Sequence, residues 1–224
     1  MSDQTNPKTV LCFGDSQTWG FDPRGGADAI RYPFVERWTR RLGAKLGPGF
    51  HVVEEGLNGR TTVFDDPVMG GMSGLNDLLN ILKSHMPVDL MIIMLGSNDV
   101  KTRLGVSGDE IARCLGRLLD VAIKSACGPD MQSPEILVLV PPPLGTLEGK
   151  WLELLFDAQN GHAKTERLRV SYPEIAALYG VHCYDTAKVL KPGEIDGVHI
   201  DPDGLEPLAD ALSHVVEQIF ANNK

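Results

Sequence analysis

Short apolar runs, most of them cut off by glycine or proline, alternate along this 224-residue chain with stretches of helical spacing. That alternation is the strongest constraint on its fold. The first run, residues 9–13, is stopped by Gly14, and a loop rich in Gly, Asp and Pro extends to about Arg31. Phe34, Val35, Trp38 and Leu42 then predict a helix over 34–46. A second strand is expected over 51–54, ahead of Gly56. A helix over 72–84 follows, carrying Leu75, Leu78, Leu79 and Leu82, and Pro87 closes it. The run DLMIIML at 89–95, stopped by Gly96, reads as the most clearly buried strand. Ile111, Leu115, Leu118, Leu119 and Ala122 predict a helix over 109–125. The fourth strand, 136–140, ends abruptly at Pro141-Pro142-Pro143. Residues 165–179 read as helical but contain Pro173, which predicts a break into two pieces. A fifth strand at 181–184 and a closing helix at 205–220 complete the pattern.

Strands that alternate with helices imply a parallel sheet covered on both faces. The expected fold is therefore α/β: a three-layer α/β/α sandwich around a five-stranded parallel sheet, resembling the flavodoxin-like arrangement. No repeat, low-complexity tract or linker divides the chain, so residues 1–224 are expected to form one domain. In such sheets ligands bind beyond the carboxyl ends of the strands.

The composition narrows the partners. A net charge of −9, with Lys and Arg scattered, argues against nucleic-acid and anionic-membrane surfaces. No stretch approaches the roughly 18 apolar residues of a membrane span. The polar residues 1–8 lack the apolar core of a secretory leader, so the expected compartment is the cytoplasm. Cys12, Cys114, Cys127 and Cys183 form no CxxC pair and read as reduced, mostly buried thiols. His51, His85, His162, His182 and His214 show no metal-ligand spacing and read as core or surface residues. The turn after the first strand lacks GxGxxG, and no GxxxxGK[ST] occurs, which disfavours a nucleotide site.

Four motifs fall at strand ends or before the last helix. Gly14-Asp15-Ser16 carries a hydroxyl two residues beyond a buried strand, where a neighbouring base can activate it. Asp196-Gly197-Val198-His199 offers such a base, with a carboxylate one turn away to orient the imidazole. Asn98, in Gly96-Ser97-Asn98-Asp99, supplies side-chain N–H donors suited to an oxyanion. Gly59, in the segment 55–62, can present its backbone N–H to the same charge. Each motif alone also fits an ordinary turn, since Gly, Asp, Asn and Ser favour turns. Asp15 is expected to brace the serine loop, and Asp201 or Asp203 to cap the last helix. Trp19 and Arg60, beside these positions, are candidate substrate contacts, with plain packing as the alternative. The run 151–156 (WLELLF) reads equally as a pocket wall, an oligomer contact or core.

Together the four motifs resemble the SGNH hydrolases, the GDSL esterase/lipase family, over nearly the whole chain. Ser16 matches the family's first-block serine, Gly59 its second-block glycine, Asn98 its third-block asparagine, and Asp196 and His199 its Asp-x-x-His. GDSQTWG, EEGLNGRTT, IIMLGSND, VPPPL and DGVHID are most similar to bacterial arylesterases, perhydrolase-type acyltransferases and carbohydrate acetylesterases. Two positions depart from the usual pattern. Gln17 stands where Leu or Asn follows the serine, and Ser97 where Thr is frequent. The resemblance implies a two-step acyl transfer. His199, oriented by Asp196, deprotonates Ser16; Ser16 attacks an ester carbonyl. The N–H groups of Ser16 and Gly59 and the side chain of Asn98 bind the oxyanion. Water, or another acceptor such as hydrogen peroxide, then releases the acyl group. It implies no metal or organic cofactor, a small-molecule ester substrate with short acyl (acetyl) chains on aryl alcohols or carbohydrates, and a homo-oligomer, an octamer in several resembling proteins. Rival readings are a thioesterase or lysophospholipase of the same family, and a non-catalytic flavodoxin-like binding protein.

Overall fold

The structure, a computed structural model, describes residues 6–156 and 158–222. Most of the polar N-terminal stretch in which no leader is read therefore lies outside the described residues. Five strands form one sheet: β1 (Lys8–Gly14), β2 (Phe50–Gly56), β3 (Leu90–Met94), β4 (Glu135–Val140) and β5 (His182–Asp185). Their order is β2-β1-β3-β4-β5, and each neighbouring pair is parallel. Six helices surround them: α1 (Ser16–Trp19), α2 (Trp38–Leu46), α3 (Gly74–His85), α4 (Gly108–Ile123), α5 (Gly161–Tyr179) and α6 (Leu205–Asn222).

The strands show why a parallel sheet reads as an unbroken apolar run. Successive side chains leave opposite faces, and both faces are covered. Val10 and Cys12 of β1, Leu90, Ile92 and Met94 of β3, and Leu137 and Leu139 of β4 pack with Trp38 and Leu42 of α2 and Leu208, Leu212 and Val216 of α6. The alternate residues Leu11, Phe13, Met91, Ile93, Ile136 and Val138 pack instead with α3, α4 and α5. The expected three-layer sandwich is what the chain forms. Among the described residues no helix is long and apolar enough to cross a membrane. All four cysteines are free, and three of them are buried.

Three local expectations need correction. The helix expected over 34–46 begins at Trp38, because Phe34–Glu36 form a separate 3-10 turn and Arg37 takes an extended backbone (φ −59°, ψ 137°). Helix α5 runs unbroken through Pro173. Leu168 and Tyr172 before the proline and Ala176 after it are all buried in the core shared with α4, so packing holds both halves in line. Asp201 sits at the start of the turn Pro202–Gly204 but makes no side-chain cap there. Its carboxylate accepts the Glu194 N–H at 2.6 Å and ties down the preceding loop instead.

The sheet order changes direction between β1 and β3. In doubly wound sheets that point opens a crevice beyond the strand ends. The segments after β1, β2 and β3 all converge there.

Candidate active site

Ser16 opens the single helical turn α1 directly beyond β1. The turn forms because Asp15 caps it: Asp15 Oδ1 accepts the Gln17 N–H at 2.9 Å, and its carbonyl accepts the N–H groups of Thr18 and Trp19. The end of β2 passes close to this turn, and Gly56 is what permits it, since a Cβ there would lie 2.1 Å from the Trp19 nitrogen. Asp15 thus braces the serine loop as expected.

His199 approaches from the far end of the chain. Its Nε2 lies 2.9 Å from Ser16 Oγ and its Nδ1 2.6 Å from Asp196 Oδ2. Asp196 Oδ1 also accepts the backbone N–H groups of Val198 (2.9 Å) and His199 (2.8 Å), so one carboxylate fixes both the ring and the loop that carries it. Asp196 and His199 are both buried. Burial alone would raise the Asp196 carboxyl; the imidazole and the two N–H donors outweigh it and hold the group below its ordinary value. It therefore stays a carboxylate beside the ring. The phenyl ring of Phe21 stacks on the imidazole at 4.0 Å between centroids and 19° between planes, and covers one face of it.

A pocket of about 170 Å³ opens on Ser16 and His199. Asn58, Gly59 and Asn98 contribute its polar side, and Phe21, Met69, Trp151, Leu152, Leu155 and Phe156 its apolar wall, with Lys101 beside them. Gly59 has φ +87°, a left-handed backbone that favours glycine, and a Cβ there would meet the flexible tip of Met69 at 2.8 Å. Asn98 is buried; its Nδ2 donates to the Arg60 carbonyl at 3.1 Å and reaches Asp15 Oδ2 at 3.4 Å, which orients the amide. Burial pushes Asp15 up to about 6, against the Gln17 N–H and the charges of His199, Lys101 and Arg60. Trp151, Leu152, Leu155 and Phe156 of the segment 151–156 form a wall of this pocket.

Trp19 and Arg60, the two candidate substrate contacts, do not line the pocket. Trp19 carries the Arg31 guanidinium over its ring at 4.9 Å. Arg60 is 4% exposed and spans elements behind the site. Its Nη1 donates to the carbonyls of Gly14 (2.9 Å) and Glu55 (2.6 Å), and its Nη2 to Asp77 (3.3 Å). A buried guanidinium satisfies several carbonyls at once, which is a brace's role. Sequence reasoning missed Phe21, Asn58, Met69 and Lys101 as pocket residues. Their positions in loops carry no periodic signal, and only the fold brings them to Ser16. No group of His, Cys, Asp and Glu among the described residues is arranged to hold a metal ion.

The arrangement has the parts that acyl transfer needs: a hydroxyl against a ring nitrogen, a carboxylate behind the ring, and an amide donor held beside the hydroxyl. Residues 12–210 match the GDSL-like lipase/acylhydrolase family. A carbohydrate acetylesterase from Sinorhizobium meliloti is 36% identical over 95% of this chain and 99% of its own, with a TM-score of 0.89. The aryl esterase of M. smegmatis is 36% identical over 94% of this chain and 99% of its own, with a TM-score of 0.88. A second carbohydrate acetylesterase family member from Sinorhizobium meliloti is 33% identical, covers 96% and 99% of the two chains, and has a TM-score of 0.87. No curated protein matches the chain.

Proposed function

Because the chain belongs to the GDSL-like lipase/acylhydrolase family and is a carboxylic ester hydrolase, we propose that Ser16 is its nucleophile, His199 its general base and Asp196 the group that orients the base. The observation that carries this reading is one continuous hydrogen-bond chain: Asp196 Oδ2 to His199 Nδ1 at 2.6 Å, and His199 Nε2 to Ser16 Oγ at 2.9 Å. It joins residues 183 positions apart at the mouth of a pocket.

His199 takes the hydroxyl proton as Ser16 Oγ attacks the ester carbonyl. The backbone N–H groups of Ser16 and Gly59 and the Asn98 amide receive the oxyanion. The imidazolium, stabilised by Asp196, then protonates the leaving alcohol. An acceptor oxygen, deprotonated in turn by His199, releases the acyl group. Water gives hydrolysis; another small nucleophile, hydrogen peroxide among them, gives transfer.

The substrates we propose are short acyl esters, acetyl above all, of aryl alcohols or carbohydrates. Two things support this. The pocket, at about 170 Å³, is smaller than the roughly 300–1,000 Å³ usual for small-molecule sites. The similar structures are a carbohydrate acetylesterase and an aryl esterase. A lysophospholipase or thioesterase acting on long chains would need more apolar room.

One domain acting in the cytoplasm as a homo-oligomer fits the remaining features. The four cysteines are unpaired, as in a reducing compartment. Leu154, 93% exposed, and Val68, 75% exposed, are accompanied by Trp151 and Met69 of the pocket wall, an apolar rim that a second copy would cover. The mass of the native particle tests the assembly.

The test of the function is covalent. A fluorophosphonate is expected to add one label per chain, at Ser16, and Ser16→Ala is expected to abolish both labelling and p-nitrophenyl acetate hydrolysis with an unchanged circular dichroism spectrum. Label at another residue, or full activity in Ser16→Ala, overturns the assignment. Faster turnover of long-chain than of acetyl p-nitrophenyl esters overturns the substrate class.

A further inference from the structure

The residue after the serine is one of the two places where this chain departs from the pattern it resembles, and the fold uses that departure. Gln17 is 4% exposed. Its Nε2 donates to the Val198 carbonyl at 2.7 Å, and its Oε1 accepts the Ile200 N–H at 2.9 Å. These two peptide groups flank His199. One side-chain amide therefore pairs with the histidine loop as a neighbouring strand's backbone would, donor to acceptor and acceptor to donor. Gln17 is itself fixed at its backbone. Its N–H donates to Asp15, and its carbonyl accepts the Trp38 indole N–H at 2.9 Å.

The other restraints on His199 do a different job. The hydrogen bonds of Asp196 to Val198, to His199 and to the ring all lie within the histidine's own loop, and none ties that loop to Ser16. Phe21 limits the tilt of the ring but makes no directional bond to it. The Tyr32 hydroxyl donates to the Ile200 carbonyl at 3.0 Å, from outside the serine turn. Gln17 alone among these links the turn that begins with Ser16 to the peptide units on both sides of His199.

We propose that Gln17 is a positioning residue that sets the separation between Ser16 Oγ and His199 Nε2 by clamping the two main-chain groups beside the histidine. The proposal rests on the roles given above to Ser16 and His199. Leucine at this position has neither donor nor acceptor, and asparagine is one methylene shorter. Either change strands a buried carbonyl and a buried N–H, because Val198 and Ile200 are themselves buried. The loop then shifts to find partners, and the base moves with it.

The test compares Gln17→Met, which keeps the length of the stem, and Gln17→Leu, which restores the residue usual in the resembling family, with the unaltered enzyme and with Ser16→Ala. Three readouts apply: kcat and KM for p-nitrophenyl acetate, the rate of fluorophosphonate labelling, and the low-field proton resonance of His199 Nδ1–H. A misplaced base is expected to lower kcat by roughly tenfold to a hundredfold. KM should stay near that of the unaltered enzyme. Labelling should slow in step with kcat, and the low-field proton should shift or broaden. Should both variants fail to fold, Gln17→Asn, which keeps a donor and an acceptor on a stem one methylene shorter and so cannot reach both Val198 and Ile200 from the same backbone position, is expected to show the same loss. Unchanged kcat and labelling in the folded variants, with Ser16→Ala inactive, overturn the proposal and leave the catalytic assignment standing. A rise in KM with unchanged kcat and an unmoved resonance also overturns it. Activity retained in Ser16→Ala strikes the assignment of Ser16 instead.

Discussion

Asn98 and Arg60 sit within hydrogen-bond reach of each other and do opposite work. The Asn98 amide faces the pocket and is oriented from behind by the Arg60 carbonyl and Asp15. On the role proposed for it, its loss removes an oxyanion donor together with the hydrogen bonds to the Arg60 carbonyl and Asp15 Oδ2. Asn98→Ala is thus expected to lower kcat by about 100- to 1,000-fold with little change in KM, in steady-state kinetics. The Arg60 guanidinium faces away from the pocket. Arg60→Met removes a charged donor from the carbonyls of Glu55 and Gly14, the latter keeping the Leu57 N–H, and releases Asp77. Hydrogen bonds to a charged group contribute about 1.5–3 kcal/mol each, so the expected cost is about 3 kcal/mol of unfolding free energy in urea. Equal stability with an altered KM would instead make Arg60 a substrate contact.

Among the connecting elements, the loop between β2 and α3 depends on one carboxylate. Asp66 is fully buried. Its Oδ1 accepts the N–H groups of Val68 (2.9 Å) and Met69 (3.1 Å) and Arg103 Nε (2.8 Å); its Oδ2 accepts Arg103 Nη2 (2.5 Å) and Lys101 Nζ (3.3 Å). It therefore joins two pocket-lining residues, Met69 and Lys101, from separate segments. Burial would raise this carboxyl, but Arg103, the two backbone N–H groups and Lys101 hold it well below the ordinary carboxylate range. A carboxyl depressed in the folded state stabilises at every pH above its unfolded value, and loses that contribution only as the pH falls through the depressed value. Asp66→Ala should cost about 3 kcal/mol at neutral pH, since it leaves the buried Lys101 and the half-buried Arg103 without their anion. Denaturant unfolding measures it, and catalysis should fall with it as Met69 and Lys101 lose their anchor.

Over the whole molecule the pH dependence of stability has two opposed sources. Asp22, Glu54, Asp66 and Asp196 are all depressed and favour the fold above the acid range. Asp15 and Asp99, fully buried beneath the pocket, are pushed by burial up to about 6. Asp99 holds the Thr62 N–H and hydroxyl, which offset only part of that burial. For these two the folded chain keeps its protons to a higher pH than the unfolded chain does. Stability is therefore lost as the pH rises from about 4 through about 6. The thermal midpoint is expected to be highest near pH 4, to decline between about pH 4 and 6 as Asp15 and Asp99 lose their protons, and to level off above that range. Asp99→Asn, which keeps an acceptor for Thr62 without the charge, should flatten the decline. An unchanged slope in Asp99→Asn would show that Asp99 does not titrate in this range.

The layers and the strand count were legible in the linear order, because each depends on local pattern; the residues of the hydrogen-bonded chain at the site lie in turns that each also fit an ordinary loop, and their joint resemblance to a known family singled them out. A buried parallel strand is an unbroken apolar run, an amphipathic helix repeats at 3.6 residues, and Gly14-Asp15-Ser16 and Asp196–His199 are turns whose functional groups lie within a few residues of one another. Tertiary structure alone decided that Pro173 stays inside one helix, that Arg60 points away from the pocket, that Asp201 ties a loop rather than caps a helix, and that Phe21 lies on the imidazole. These depend on what a residue meets after the chain has closed on itself. A side chain's partner then stands more than a hundred positions away, as Val198 does from Gln17, and no spacing along the chain encodes that distance.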